Sequence, residues 1–147
     1  MSDEQIKGAI RGFLKAMAAG DGAQAASFLA PDVTWGEAGG GAHKGPAESV
    51  TYIGKLKKVA PDFTVTENGM GIVVQGSVAV IEHALSGTTN GKKWAVPASC
   101  IYEFKGDKIQ GIRTFYDRLG QAQQAAKGFF PRMAVNMVAN ALDKQMR

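Results

Sequence analysis

Two residues of this chain pair a titratable group with a setting suited to proton transfer. Glu37 follows Trp35 and Gly36 at the end of a short extended stretch, where a carboxylate partly withdrawn from water is fitted to general-base work. It reads equally as a solvated loop carboxylate beside Gly36 and Gly39. His83 lies inside Val80-Ile81-Glu82-His83-Ala84-Leu85, and imidazole titrates near neutral pH, so a cavity-facing His83 could accept and return a proton. The competing reading is a satisfied structural histidine. Successive strand residues alternate in direction, so Glu82 and His83 point to opposite faces and only one of them enters a given cavity.

Other chemistries find less support. Cys100 is the single cysteine; with no cationic partner in evidence it reads as a small buried hydrophobe rather than a nucleophile, and it fits a reducing compartment, so the cytoplasm is the expected location. The two histidines, His43 and His83, lack the short spacing of a zinc site, so no metal is expected, and no nucleotide, flavin or haem fingerprint is present, so no cofactor is expected either. The Gly39-Gly40-Gly41 run lacks the Gly-Lys-Ser/Thr ending of a phosphate loop, and His43 beside it is expected to be exposed.

The composition sets the frame for these residues. A chain of 147 residues, 45% hydrophobic and 20% charged, suits one globular domain, 1–147, with a real core. Its 17 basic and 13 acidic residues give a mildly basic protein whose lysines are scattered, which disfavours nucleic acid as a partner. No apolar run reaches the roughly 18 residues of a membrane span, and the start lacks a basic region followed by an apolar stretch, so neither membrane nor secretion is expected.

Periodicity orders the elements. Ile6, Ile10, Phe13, Leu14 and Met17 recur at helical spacing, with Ser2 and Gln5 as a capping box and Gly20 as the stop. Asp21 starts a second helix that presents Ala25, Phe28 and Leu29 before Pro31 closes it. Val33 to Glu37 reads as extended and Ala38 to Gly45 as a loop. A third helix begins at Pro46, carries Val50, Ile53 and Leu56 inward and stops before Pro61. Then the period falls to two in four blocks, Phe63–Gln75, Val78–Ser86, Lys93–Phe104 and Ile109–Asp117, read as consecutive antiparallel strands. Asp117 caps a turn or helix over Leu119–Ala126, and a terminal helix runs over about 131–145, expected to cover a domain or dimer surface. Helices followed by a meander indicate an α+β fold with the helices packed on a curved sheet.

In this order, Ala19-Gly20-Asp21, Phe28-Leu29-Ala30-Pro31-Asp32-Val33-Thr34-Trp35, His43-Lys44-Gly45-Pro46, Ser86-Gly87-Thr88 and Lys108-Ile109 to Tyr116-Asp117 resemble the nuclear transport factor 2-like superfamily. The resemblance is to its SnoaL-like branch of polyketide-cyclase and ketosteroid-isomerase relatives, over residues 5 to 125. It implies a cone-shaped, curved antiparallel sheet closed by the N-terminal helices around an apolar pocket, a homodimer, and a small apolar molecule as ligand. It also places Glu37 where ketosteroid isomerases carry their general base, and His83 where scytalone dehydratase carries its catalytic histidine.

Departures from the family patterns count as well. The last-strand aspartate of polyketide cyclases and limonene epoxide hydrolase falls on Thr114, the isomerase oxyanion tyrosine on Phe13, the dehydratase orienting aspartate on Ala18 and the cyclase histidine on Cys100. Trp35, Tyr52, Trp94, Thr114, Tyr116 and Met17 remain as expected pocket-lining residues beside the expected catalytic pair Glu37 and His83. The reading is a cofactor-independent acid/base enzyme of isomerase, dehydratase or cyclase type acting on a small apolar carbonyl or hydroxyl compound. Its rival is a non-catalytic ligand-binding or dimeric interaction domain of the same fold.

Overall fold

The structure, a computed structural model, describes residues 1–146; Arg147 lies outside the described residues. Helix α1 (Asp3–Ala19) opens on a closed capping box: Ser2 Oγ accepts from the Gln5 amide at 3.3 Å while Gln5 Oε1 accepts from the Ser2 amide at 2.7 Å. Gly20, in the left-handed conformation at φ 77°, ends it. Asp21 caps α2 (Gly22–Ala26), accepting from the Gln24 amide at 2.9 Å.

Here the structure corrects the sequence reading. The second helix stops at Ala26 rather than at Pro31, and strand β1 (Leu29–Glu37) has already begun at Leu29. Tertiary pairing overrides the helical pattern: Leu29 sits opposite Ile109, whose amide donates to Phe28 O at 2.9 Å. Pro31, which has no N–H to give a ladder, falls where the pairing register shifts between Leu29 and Thr34. The expected glycine loop also contains a short strand, β2 (Ala42–Lys44), which makes a hairpin with β1.

Helix α3 (Gly45–Val59) carries Pro46 in its first turn and ends before Pro61, as its sequence requires. Four long strands follow: β3 (Thr64–Gln75), β4 (Val78–Thr89), β5 (Lys92–Lys105) and β6 (Lys108–Tyr116). At the β4–β5 turn Asn90 and Gly91 both take positive φ, 55° and 73°, which is what a tight hairpin matched to strand twist demands. Asp117 caps α4 (Arg118–Ala125) by accepting from the Gly120 amide at 2.7 Å, and α5 (Phe129–Met146) completes the described chain.

The six strands form one curled, unclosed sheet in the order β2-β1-β6-β5-β4-β3. All pairs are antiparallel except β1 with β6, which brings the two ends of the strand sequence side by side. The α+β cone expected from the sequence is therefore the observed architecture. No helix among the described residues is long and apolar enough to cross a membrane.

Helix α1 lies in the bowl of the sheet. Its Phe13, fully buried, meets Trp35 of β1 edge-on at 5.5 Å between ring centres and Tyr102 of β5 at 6.3 Å. This contact joins the helical lid to the sheet at the cavity floor. Phe13→Ala should cost about 3–5 kcal/mol of folding free energy, measurable by urea unfolding; a loss below about 1 kcal/mol would show that Phe13 does not hold the lid on the sheet.

Candidate functional site

The concave face of the sheet carries a row of side chains fixed by register. Thr114 of β6 lies opposite both Glu37 of β1 and Cys100 of β5, so the three share a face. On β4, Ile81 pairs with Cys100, and His83, two residues on, shares that face while Glu82 is turned outward. Parity thus directs His83 inward, and it is 1% exposed.

A continuous polar line runs across these four strands. Trp35 Nε1 donates to Thr114 Oγ1 at 3.1 Å, Thr114 Oγ1 lies 3.4 Å from Cys100 Sγ, and Cys100 Sγ lies 3.8 Å from His83 Nε2. The Cys100 thiol donates to Thr114 Oγ1, which thus accepts from both sides, and the sulfur is left to accept from His83 Nε2–H, so the neutral ring keeps a lone pair on Nδ1. His83 Nδ1 has no hydrogen-bond partner, and it is the one such buried side-chain atom among the described residues. A buried polar atom left unpaired is costly, which marks it as a candidate ligand contact.

Burial lowers the His83 pKa below its ordinary value, the nearby Ile81 backbone opposing only weakly, so the ring is neutral at physiological pH. Burial likewise pushes the Cys100 thiol up to about 11, partly offset by the Thr114 hydroxyl. A neutral imidazole beside a protonated thiol is not the thiolate–imidazolium pair of a cysteine nucleophile. Cys100 is a link in the polar line.

Glu37 borders the same cavity from the end of β1. The Tyr52 hydroxyl of α3 donates to Glu37 Oε1, and Tyr52 is held by Trp35 edge-on at 4.9 Å and by the His43 ring stacked on it at 4.4 Å. His43 is therefore half-buried against Tyr52 rather than exposed, because β2 folds it back over α3. Burial, and then the hydrogen bond to Glu37, raise the Tyr52 pKa well above the ordinary phenol range, and burial followed by the Glu37 charge raises that of Tyr116. Both phenols stay protonated. Gly40 makes room for the carboxylate's outer edge, since a Cβ there would stand 3.4 Å from Glu37 Oε2 and 2.8 Å from Arg118 Nη1. Arg118 closes this side, its guanidinium 5.8 Å from the Tyr116 ring centre.

Glu37, His83, Trp35, Tyr52, Trp94, Thr114, Tyr116 and Met17 all border one cavity of about 50 Å³, lined mostly by apolar surface. Sequence reasoning missed Tyr102 in its wall, although Tyr102 follows Cys100 by two residues and so shares its inward face. It missed Arg118 because nothing local shows that α4 returns to the Gly39–Gly41 loop. The cavity has room for a few waters and is well below the roughly 300–1,000 Å³ of typical ligand pockets. Side chains narrow the cone without closing it. Among the described residues no cluster of three or more His, Cys, Asp or Glu side chains could hold a metal ion.

A family described as a SnoaL-like domain matches residues 10–124. No protein of curated function matches the sequence significantly. Among solved structures, a hypothetical protein of ketosteroid isomerase-like fold from Catenulispora acidiphila, in complex with trimethylamine, is 18% identical at TM-score 0.74, over 80% of this chain and 91% of its own. An epoxide hydrolase from M. tuberculosis is 15% identical at TM-score 0.72, over 92% and 97%, and TsrD from Streptomyces laurentii is 18% identical at 0.75, over 86% and 98%. At these identities the likeness is one of fold.

The buried neutral histidine makes stability depend on pH with a definite sign. An unfolded His83 takes up a proton near its ordinary 6.5 whereas the folded one resists until lower pH, so stability present above about 6.5 is lost as pH falls below it. The parent should therefore lose more unfolding free energy than His83→Gln between about pH 7.5 and about pH 5.5; equal losses would contradict a buried neutral imidazole.

Proposed function

The chain belongs to the SnoaL-like family, and from that premise we propose that it is a cofactor-independent acid/base enzyme, working in the cytoplasm on a small apolar carbonyl or hydroxyl compound. The observation that carries this reading is the convergence of Glu37 and the unpaired Nδ1-bearing ring of His83 on one aromatic-lined cavity. Glu37, steadied by the Tyr52 hydroxyl, takes a proton from the carbon next to the substrate carbonyl. Negative charge moves to the carbonyl oxygen. With the Cys100 thiol turned to Thr114 and Nε2–H of His83 turned to the sulfur, the Nδ1 lone pair accepts from a substrate hydroxyl beside that oxygen. Burial holds the Tyr102 phenol protonated in the same wall, where it supplies the donor to the carbonyl oxygen in place of the isomerase tyrosine that Phe13 replaces. Return of the proton from Glu37 to another carbon gives an isomer; departure of a β-hydroxyl, which takes up the proton, gives dehydration. Both balance without a cofactor.

Thr114 bears on the choice of reaction. It accepts from Trp35 Nε1, and a threonine cannot activate water as a carboxylate does, which favours proton shuttling over epoxide hydrolysis. A second reading, ligand binding without turnover, is favoured by the narrow cavity: a ligand larger than a few heavy atoms needs Met17, Trp94 or Leu56 to shift.

The outer face of the sheet exposes Val73, Val80 and Phe115, and we assign it to a second copy of the chain. Sedimentation at micromolar concentration should give a dimer, and a monomer there would remove this assignment. On a panel of small ketones and hydroxyketones, Glu37→Gln should lower kcat by about 10²- to 10⁴-fold with the fold intact. A variant as active as the parent would remove the proposed base, and turnover by neither would leave the binding reading.

A further inference from the structure

Charge is segregated along this chain. Of its 17 basic and 13 acidic residues, five and one lie in residues 118–147, so that segment carries the whole net charge of +4 and the first 117 residues balance. The segment includes α5, which the sequence reading treats as a cover for another surface. In the structure α5 packs mainly on α4 and leaves its own apolar side in water: Phe129, Phe130 and Met137 are 74%, 74% and 66% exposed, and Met133, Val138 and Leu142 about half.

One side of α5, with the β4–β5 turn, forms an open trough of about 1120 Å³. Phe129, Met133 and Met137 give it an apolar floor, and Lys92, Lys127, Arg132 and Lys144 stand around it. No acidic side chain among the described residues lines it. An apolar strip whose charged neighbours among the described residues are all cations is complementary to a surface that is negative outside and greasy beneath. A second copy is a poorer occupant, since two such segments would bring like charges together.

We propose that α5 and this trough form a docking surface for anionic phospholipid membranes. The helix lies in the plane of the interface, Phe129, Met133 and Met137 enter the headgroup–acyl boundary, and Lys92, Lys127, Arg132 and Lys144 meet lipid phosphates and carboxylates. This is attachment, not a span. It would hold the cavity near substrates that partition into lipid, and it is independent of the chemistry assigned to Glu37 and His83.

The test is flotation of the full chain with vesicles of phosphatidylcholine alone or with about 30% phosphatidylserine. The parent should float with the anionic vesicles and not with the neutral ones, and raising salt from about 0.1 M to about 0.5 M should release it. K127E/R132E/K144E should weaken binding by at least about tenfold, and M133S/M137S should weaken it with all charges kept. Unchanged tryptophan fluorescence from buried Trp35 and Trp94 verifies that both variants fold. The proposal is overturned by equal flotation with both vesicle types, by none, or by substitutions that leave lipid binding unchanged and instead abolish self-association or capture of an acidic protein.

Discussion

A line of hydrogen-bonding side chains laid across four adjacent strands fixes what the concave face of this protein can do. Trp35 on β1, Thr114 on β6, Cys100 on β5 and His83 on β4 are all buried, and each answers a polar atom of its neighbour. Buried polar atoms are expensive to leave unmatched, so the line holds the strands in register as well as stacking their apolar side chains. A slip of one residue on any of these strands would turn its member out of the cone and strand the others. The unpaired Nδ1 at the end of the line is the exception, and the ring that carries it borders the cavity.

The same constraint shapes the electrostatics. The surroundings that keep the imidazole neutral also keep the Cys100 thiol and the Tyr102 phenol protonated, so the floor of the cavity holds hydrogen-bond donors without formal charge. Formal charge in the lining is that of Glu37, which is held by Tyr52 and approached by Arg118 across the notch at Gly40. A neutral, donor-bearing wall in the same cavity as a carboxylate is the polarity required by proton abstraction with charge building on an oxygen. The narrowness of the cavity adds a second requirement: the substrate is small, or the aromatic wall moves.

Much of this was legible from residues alone, and the limits have physical causes. The Ser2–Gln5 box, the Asp21 and Asp117 caps and the period-two blocks are local signals, and local hydrogen bonds decide them. Parity separates His83 from Glu82 because a strand alternates whatever its neighbours are. The start of β1 at Leu29 was hidden, since pairing with Ile109 overrides a helical pattern that ends in proline, and the parallel β1–β6 contact joins segments far apart in sequence. His43 on Tyr52, and Arg118 beside Glu37, depend on where a glycine hairpin and helix α4 return in space. No local pattern encodes such returns. The terminal helix shows the reverse: its amphipathic pattern is plain in the sequence, but only the fold reveals that its apolar side is left uncovered.

Heteronuclear NMR of the His83 ring nitrogens, recorded at neutral pH with and without a small cyclic hydroxyketone, tests the account most directly. It predicts a neutral ring with the proton on Nε2 and an Nδ1 resonance that shifts on hydroxyketone addition together with the indole N–H signals of Trp35 and Trp94. An imidazolium signal, or a ring indifferent to hydroxyketone while the indoles respond, would contradict the assignment of His83 as the group that meets the substrate hydroxyl.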